Sequence, residues 1–175
     1  VKGPMDLRIL KLQKALASKS KRPSTYEKAL LATQKMYLDP TILGDGREAS
    51  AKDMEQRISA LYASFVKAEL TAAERGKPNT KRIRGAIAIA NRYLATLSDD
   101  KKIEMTKARV AGLHARGKNH PQAVLLYKEL ASVTVLGKEQ TYLRAAATSQ
   151  HEIANWPQQA PWKSQPKGSA GERSE

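Results

Sequence analysis

The chain has 175 residues, 41% of them hydrophobic and 5% aromatic, so it can bury a core built chiefly from alanine and leucine. Lysine and arginine outnumber aspartate and glutamate by 31 to 17, a formal charge of +14, which favours nucleic acid, anionic lipid or an acidic protein as partner and equally suits a plain basic surface. Cysteine is absent, which excludes disulfides, zinc–cysteine sites and thiol catalysis.

No apolar run approaches the ~20 residues that a bilayer span needs. The N-terminus carries Lys2 and Arg8 but alternates charge with leucine, unlike a secretory signal. Because it opens on Val1, the chain reads as a piece of a longer protein, and its composition does not choose between cytoplasm and periplasm.

Residues 5–18 predict a first helix, with Leu7, Leu10, Leu12, Ala15 and Leu16 among Arg8, Lys11 and Lys14. A basic break follows at Lys19, Lys21 and Arg22, and Pro23 sits where a helix start tolerates proline. Residues 24–38 predict the second helix, with Tyr26, Leu30 and Tyr37 on one side and Asp39-Pro40 ending it. After a loop with Gly44 and Gly46, Ser50 and Asp53 resemble a capping box. Met54, Ile58, Leu61, Phe65 and Ala68 then form one helical stripe, on a helix that runs to about Arg75 and stops at Gly76-Lys77-Pro78-Asn79.

Residues 80–97 hold the best amphipathic pattern in the chain: Ile83, Ala86, Ile87, Ala90, Tyr93, Leu94 and Leu97. Ser98-Asp99-Asp100 can cap the next helix, over 101–116, whose apolar residues are Ile103, Ala108, Val110, Ala111 and Leu113. Gly117 closes it as the residue just past its end. Pro121 falls in the first turn of a helix carrying Ala123, Leu126, Tyr127, Leu130 and Ala131. Gly137 breaks the chain again, and residues 138–154 place Tyr142, Ala145, Ala146, Ser149 and Ile153 on one face.

Asn119-His120-Pro121-Gln122 returns 36 residues later as Asn155-Trp156-Pro157-Gln158. Such a period is typical of stacked two-helix units. The second copy is expected to open one further helix, and the polar stretch 163–175 reads as a disordered tail. Helical hairpins over 5–38, 50–97, 101–132 and 138–162 would then make one all-α domain over 1–162.

These residues give the chain its resemblance to tetratricopeptide-repeat proteins. Gly117 precedes a second-type helix, Ala123 opens it and Tyr127 sits one turn on; Ala86, Ala90, Tyr93 and Leu94 make a similar helix, and Asp39-Pro40 resembles a unit-ending proline. The resemblance implies a right-handed superhelical stack of helix–turn–helix hairpins, an α-solenoid. Its concave face, lined by the first helix of each hairpin, would take an extended peptide or a partner helix. Lys107 and His114, seven apart on one helix, and Arg144 on the next first-type helix would hold partner carboxylates there.

Signals for chemistry are weak. His114 and His120 are six apart with Gly117 between them, and His151-Glu152 lacks the second histidine of a metalloprotease motif, because position 155 is Asn155. Gly44-Asp45-Gly46 lacks the lysine of a phosphate loop, and Asp99-Asp100 looks like a cap. Neither catalysis nor a cofactor or metal is expected. The basic residues are more informative. Lys19, Lys21 and Arg22, then Arg75, Lys77, Lys81, Arg82 and Arg84, then Lys101 and Lys102 sit at successive breaks and could form a positive stripe for phosphates. The tyrosines and Phe65 fall on apolar stripes, as core residues do, rather than as a stacking platform for bases. Trp156 and Trp162 would pack on a following helix. The expected function is a non-catalytic scaffold that binds an acidic segment of another protein. The alternative is a basic module on RNA or DNA backbone within a ribonucleoprotein, and a third reading is a repeat domain serving an enzyme elsewhere in a longer chain.

Overall fold

The computed structural model describes residues 22–38 and 48–159, together with Lys11 and Ala15. The expected helix over 5–18, the Asp39-Pro40 stop, the Gly44–Gly46 loop, Trp162 and the tail over 163–175 lie wholly or almost wholly outside the described residues. Among those described there are six helices and no strand: α1 (Pro23–Leu38), α2 (Glu48–Glu74), α3 (Thr80–Leu94), α4 (Asp100–Arg116), α5 (His120–Val133) and α6 (Glu139–Gln159). None is long and apolar enough to cross a membrane. The chain is all-α, as its composition implies.

Local chemistry sets the boundaries. Asn79 caps α3, its side-chain oxygen accepting from the Arg82 amide at 2.9 Å, and Asp99 caps α4 by accepting from the Lys102 amide at 3.1 Å. Gly76 (φ 70°) and Gly137 (φ 64°) supply left-handed turns after α2 and before α6. After α4 the left-handed residue is Lys118 (φ 63°), not Gly117. The Asn119 amide donates to the His114 carbonyl at 2.8 Å and the Lys118 amide to the Ala115 carbonyl at 3.0 Å, the two bonds of a Schellman turn. Gly117 serves a different need. A Cβ there would stand 3.3 Å from the Ile83 Cγ2 and 3.2 Å from the Leu113 carbonyl oxygen, so its missing side chain lets α3 approach the end of α4.

Each helix packs on its neighbours in the chain, and thinner contacts join α1 to α3 and α2 to α4. The α5–α6 contact is the most extensive and the α3–α4 contact the slightest between chain neighbours, so the expected division between 101–132 and 138–162 does not follow a gap in packing. The centre of the first three helices is aromatic. Tyr62 on α2, fully buried, stacks on Tyr26 of α1 (ring centroids 4.9 Å) and meets Tyr93 of α3 edge-on (5.0 Å). Side-chain ties repeat this connectivity. Glu27 of α1 accepts from Tyr62 (3.1 Å) and from Arg92 of α3 (Nε, 2.9 Å). Arg109 of α4 grips both carboxylate oxygens of Glu74 on α2 (2.8 and 2.7 Å) and donates to Thr71 (2.9 Å). Lys107 of α4 pairs with Glu129 of α5 at 2.7 Å.

Four expectations need correction. On α2 the buried stripe is Met54, Ile58, Tyr62, Val66 and Leu70, a strict four-residue row; Leu61 and Phe65 flank it and Ala68 is exposed. The row turns towards Tyr62 because the aromatic cluster buries more area than Leu61 would. Ser50 lies inside α2, which begins at Glu48, so it does not cap the helix, and Asp53 pairs instead with Arg57 one turn on (2.8 Å). On α4 the inward face is Glu104, Thr106, Val110, Ala111 and Leu113, with Ile103 and Ala108 only half-buried. Finally, Asn155-Trp156-Pro157-Gln158 does not open a helix: it forms the last turns of α6. The first copy follows the Gly117-Lys118 turn, whereas the second follows Ile153-Ala154, where nothing breaks the helix.

Glu104 is 4% exposed, and all four of its lone-pair positions are filled. Oε1 accepts from the Thr134 hydroxyl (2.7 Å) and the Tyr142 hydroxyl (2.8 Å); Oε2 accepts from the amides of Val135 (2.7 Å) and Leu136 (3.0 Å). One carboxylate thereby fastens α4 to the α5–α6 turn and to α6. Burial pushes its pKa up, but the four donors outweigh burial and hold it below the ordinary carboxylate value.

Candidate functional site

Two concave sites carry unpaired cations. The first lies on the side of α2 turned away from its core stripe. Ser64, Ala68, Thr71 and Ala72 recur there at helical spacing and floor an open trough of about 680 Å³. Lys67, Arg75 and Arg82 line it, and no carboxylate does. Lys67 lies on α2 and Arg75 directly after its last residue, eight positions on, about 12 Å along the helix axis. The left-handed turn at Gly76, whose carbonyl accepts from the Arg116 guanidinium, brings Arg82 in the first turn of α3 back to the same trough. No ion pair among the described residues involves any of the three.

The second is a narrower cleft of about 480 Å³ between α3 and the end of α4. Ile83 and Leu113, both buried, form its floor with half-buried Ile87. Its polar lining is Thr80, Arg84, Asn91, His114, Lys118 and Asn119. The Asn119 side-chain amide lies 3.2 Å from His114 Nδ1. Burial lowers the His114 pKa, so the ring is a neutral donor at pH 7. Like the trough, the cleft has no carboxylate in its lining.

The residues singled out from the sequence are therefore divided. Arg75 and Arg82 share the trough, while Arg84 faces the cleft with His114. Lys77, Lys81 and Lys101 are exposed near the helix starts, Lys102 lies 3.7 Å from Asp99, and Arg22 is exposed before α1; Lys19 and Lys21 lie outside the described residues. Lys107 is held by Glu129, and Arg144 is exposed on α6, outside the cleft that His114 lines. His120 is 6% exposed and neither ring nitrogen has a protein partner, but no group of three metal-ligating side chains forms among the described residues.

Lys67, Asn91, Lys118 and Asn119 were not legible as site residues. The one available signal was the position of Lys118 directly after Gly117, where a left-handed turn residue is needed. Every described aromatic side chain is buried or half-buried, so none offers an exposed face for stacking bases. No known protein family, curated protein or solved structure matches the chain.

Proposed function

We propose that the chain is a non-catalytic helical-repeat scaffold that binds an acidic segment of another protein, with its helices stacked as a tetratricopeptide-like solenoid. Helix-to-next-helix packing and the thinner links from α1 to α3 and α2 to α4 support the stacking. One observation carries the functional reading: Lys67, Arg75 and Arg82 line one trough with no carboxylate in it. Three like charges gathered on a rigid surface repel each other, and an acidic partner relieves that repulsion while forming charge-assisted hydrogen bonds. The small floor residues leave room for a partner backbone. The helices hold the cations in place before binding, which lowers the entropy lost on association.

Fluorescence anisotropy with the full chain tests the proposal. The probes are a labelled oligoglutamate peptide and labelled single- and double-stranded oligonucleotides, each at low and physiological salt. The peptide should bind saturably, and Lys67→Gln, Arg75→Gln and Arg82→Gln combined should weaken it by about tenfold or more. Oligonucleotide binding that is tighter, falls steeply with salt and ignores the triple substitution would replace this reading with the nucleic-acid one.

A further inference from the structure

We propose that the α3–α4 cleft is a second site, independent of the trough, that binds a small organic anion: its flat apolar body lies on Ile87 and Ala88, and its phosphate or carboxylate is held between Arg84 and Lys118. The cleft has the size of a small-molecule pocket, about 480 Å³ where such pockets span roughly 300–1,000 Å³. Its composition is also that of a ligand site, an apolar floor with a few convergent polar groups at the rim. Those groups are all suited to an anion. Arg84 and Lys118 bring positive charge, and Thr80, Asn91 and Asn119 add neutral donors. The His114 imidazole, 3.2 Å from the Asn119 amide, adds a further polar group. No ion pair among the described residues occupies Arg84 or Lys118.

The turn that forms one wall is built at a cost. The other left-handed turn residues among those described are glycines, Gly76 and Gly137. Here the left-handed position holds Lys118, and the adjacent glycine is used instead to let Ile83 close against α4. A glycine at 118 would meet every folding requirement of this turn. What the lysine adds is a cation at the rim of an apolar cleft, at a backbone position that disfavours a lysine. A free anion with no apolar body would gain nothing from Ile87 and Ala88, and an uncharged aromatic would leave both cations unpaired. The lining therefore selects a molecule with both parts.

Isothermal titration calorimetry of the full chain with 1-naphthyl phosphate tests this, with inorganic phosphate and 1-naphthol as the two halves of the probe. The expected result is saturable one-to-one binding, at least about tenfold tighter than either half. Arg84→Gln and Lys118→Asn should each weaken it by about tenfold, with Asn chosen because it tolerates the left-handed backbone. Lys67→Gln and Arg75→Gln in the trough should leave it within about twofold. Circular-dichroism melting would check that each variant is folded. If Arg84→Gln does not fold, backbone-amide chemical shifts of the unmodified chain decide instead, with movement at residues 80–91 and 113–119 expected. Naphthyl phosphate and inorganic phosphate binding equally would overturn the proposal, as would indifference to both cleft substitutions or equal sensitivity to those in the trough.

Discussion

Tyr62 should be the most expensive side chain to remove in the first three helices. It is 0% exposed, the largest fully buried residue, and it touches both neighbouring helices: its ring stacks on Tyr26 of α1 and meets Tyr93 of α3 edge-on, while its hydroxyl donates to Glu27. Tyr62→Ala removes a buried aromatic, which costs about 3–5 kcal/mol, and the loss of two ring pairs puts it in the upper half of that range. Tyr62→Phe keeps the rings and loses one hydrogen bond to a carboxylate that Arg92 still satisfies, so about 1 kcal/mol is expected. For a domain of this size the two changes correspond to roughly 10–20 °C and 2–4 °C in Tm. Urea denaturation followed by circular dichroism, with the Glu27→Gln double-mutant cycle, separates the ring from the hydroxyl. A loss below about 1.5 kcal/mol for Tyr62→Ala would mean that the three helices do not close around this residue, and the packing argument would fall with it.

Other consequences can be checked in the same way. Glu104→Gln replaces two acceptor positions by an amide that faces donors, so it should cost more than Tyr62→Phe; hydrogen exchange should quicken in 134–149 while 58–90 stays protected. Lys118→Gly should raise stability by about 0.5–1 kcal/mol by relieving the left-handed backbone, whereas Gly117→Ala should lower it, because its Cβ meets Ile83 and the Leu113 carbonyl; thermal melts of both decide. Arg109→Lys loses the two-pronged grip on Glu74 and the bond to Thr71, for about 1 kcal/mol in chemical denaturation. Stability against pH should be flat from about 6.5 to 10. Below 6.5 the unfolded chain takes a proton that half-buried His114 resists, and below 4.5 it takes more that Glu27, held down by its Arg92 hydrogen bond, and Glu104 resist. Above 10 the unfolded chain loses a proton that Tyr142, raised by burial and by Glu104 to about 12, retains; a Tm series across pH reads each limb.

The helices were legible wherever apolar spacing and punctuation agreed. Asn79, Asp99 and Gly137 mark their turns in the sequence and do so in the structure, and the Ile83–Ala86–Ala90–Tyr93 face is buried as its spacing predicts. The α4 face was misread because its innermost groups include a glutamate and a threonine. A buried Glu104 is invisible to hydrophobic periodicity, since what licenses its burial is a set of donors 30 to 38 residues away. The α2 row failed by one position for a related reason: whether Leu61 or Tyr62 points inward depends on tyrosines from two other helices. The second Asn-x-Pro-Gln kept the letters of the first without the turn before them, and the turn was what made a helix start there. The clefts were less legible still. Arg75 and Arg82 could be named as basic, but that Lys67 joins them while Arg84 leaves for another surface follows from how the Gly76 turn aims α3.

Four carboxylates tie the helices together: Glu27 joins α1 to α2 and α3, Glu74 joins α2 to α4, Glu129 joins α4 to α5, and Glu104 holds the α5–α6 turn and α6. Glu27, Glu74 and Glu129 each pair with one cation and Glu104 takes only neutral donors, so the ties neutralise three of the 31 basic side chains. Lys77, Lys81 and Lys101 lie elsewhere on the surface, but Lys67, Arg75 and Arg82 line one concavity and Arg84 and Lys118 the other. Spreading them apart would lower their mutual repulsion without disturbing any helix, because none is needed for the core. An anionic ligand would relieve the repulsion within each group, and it is on this that the two proposed bindings rest.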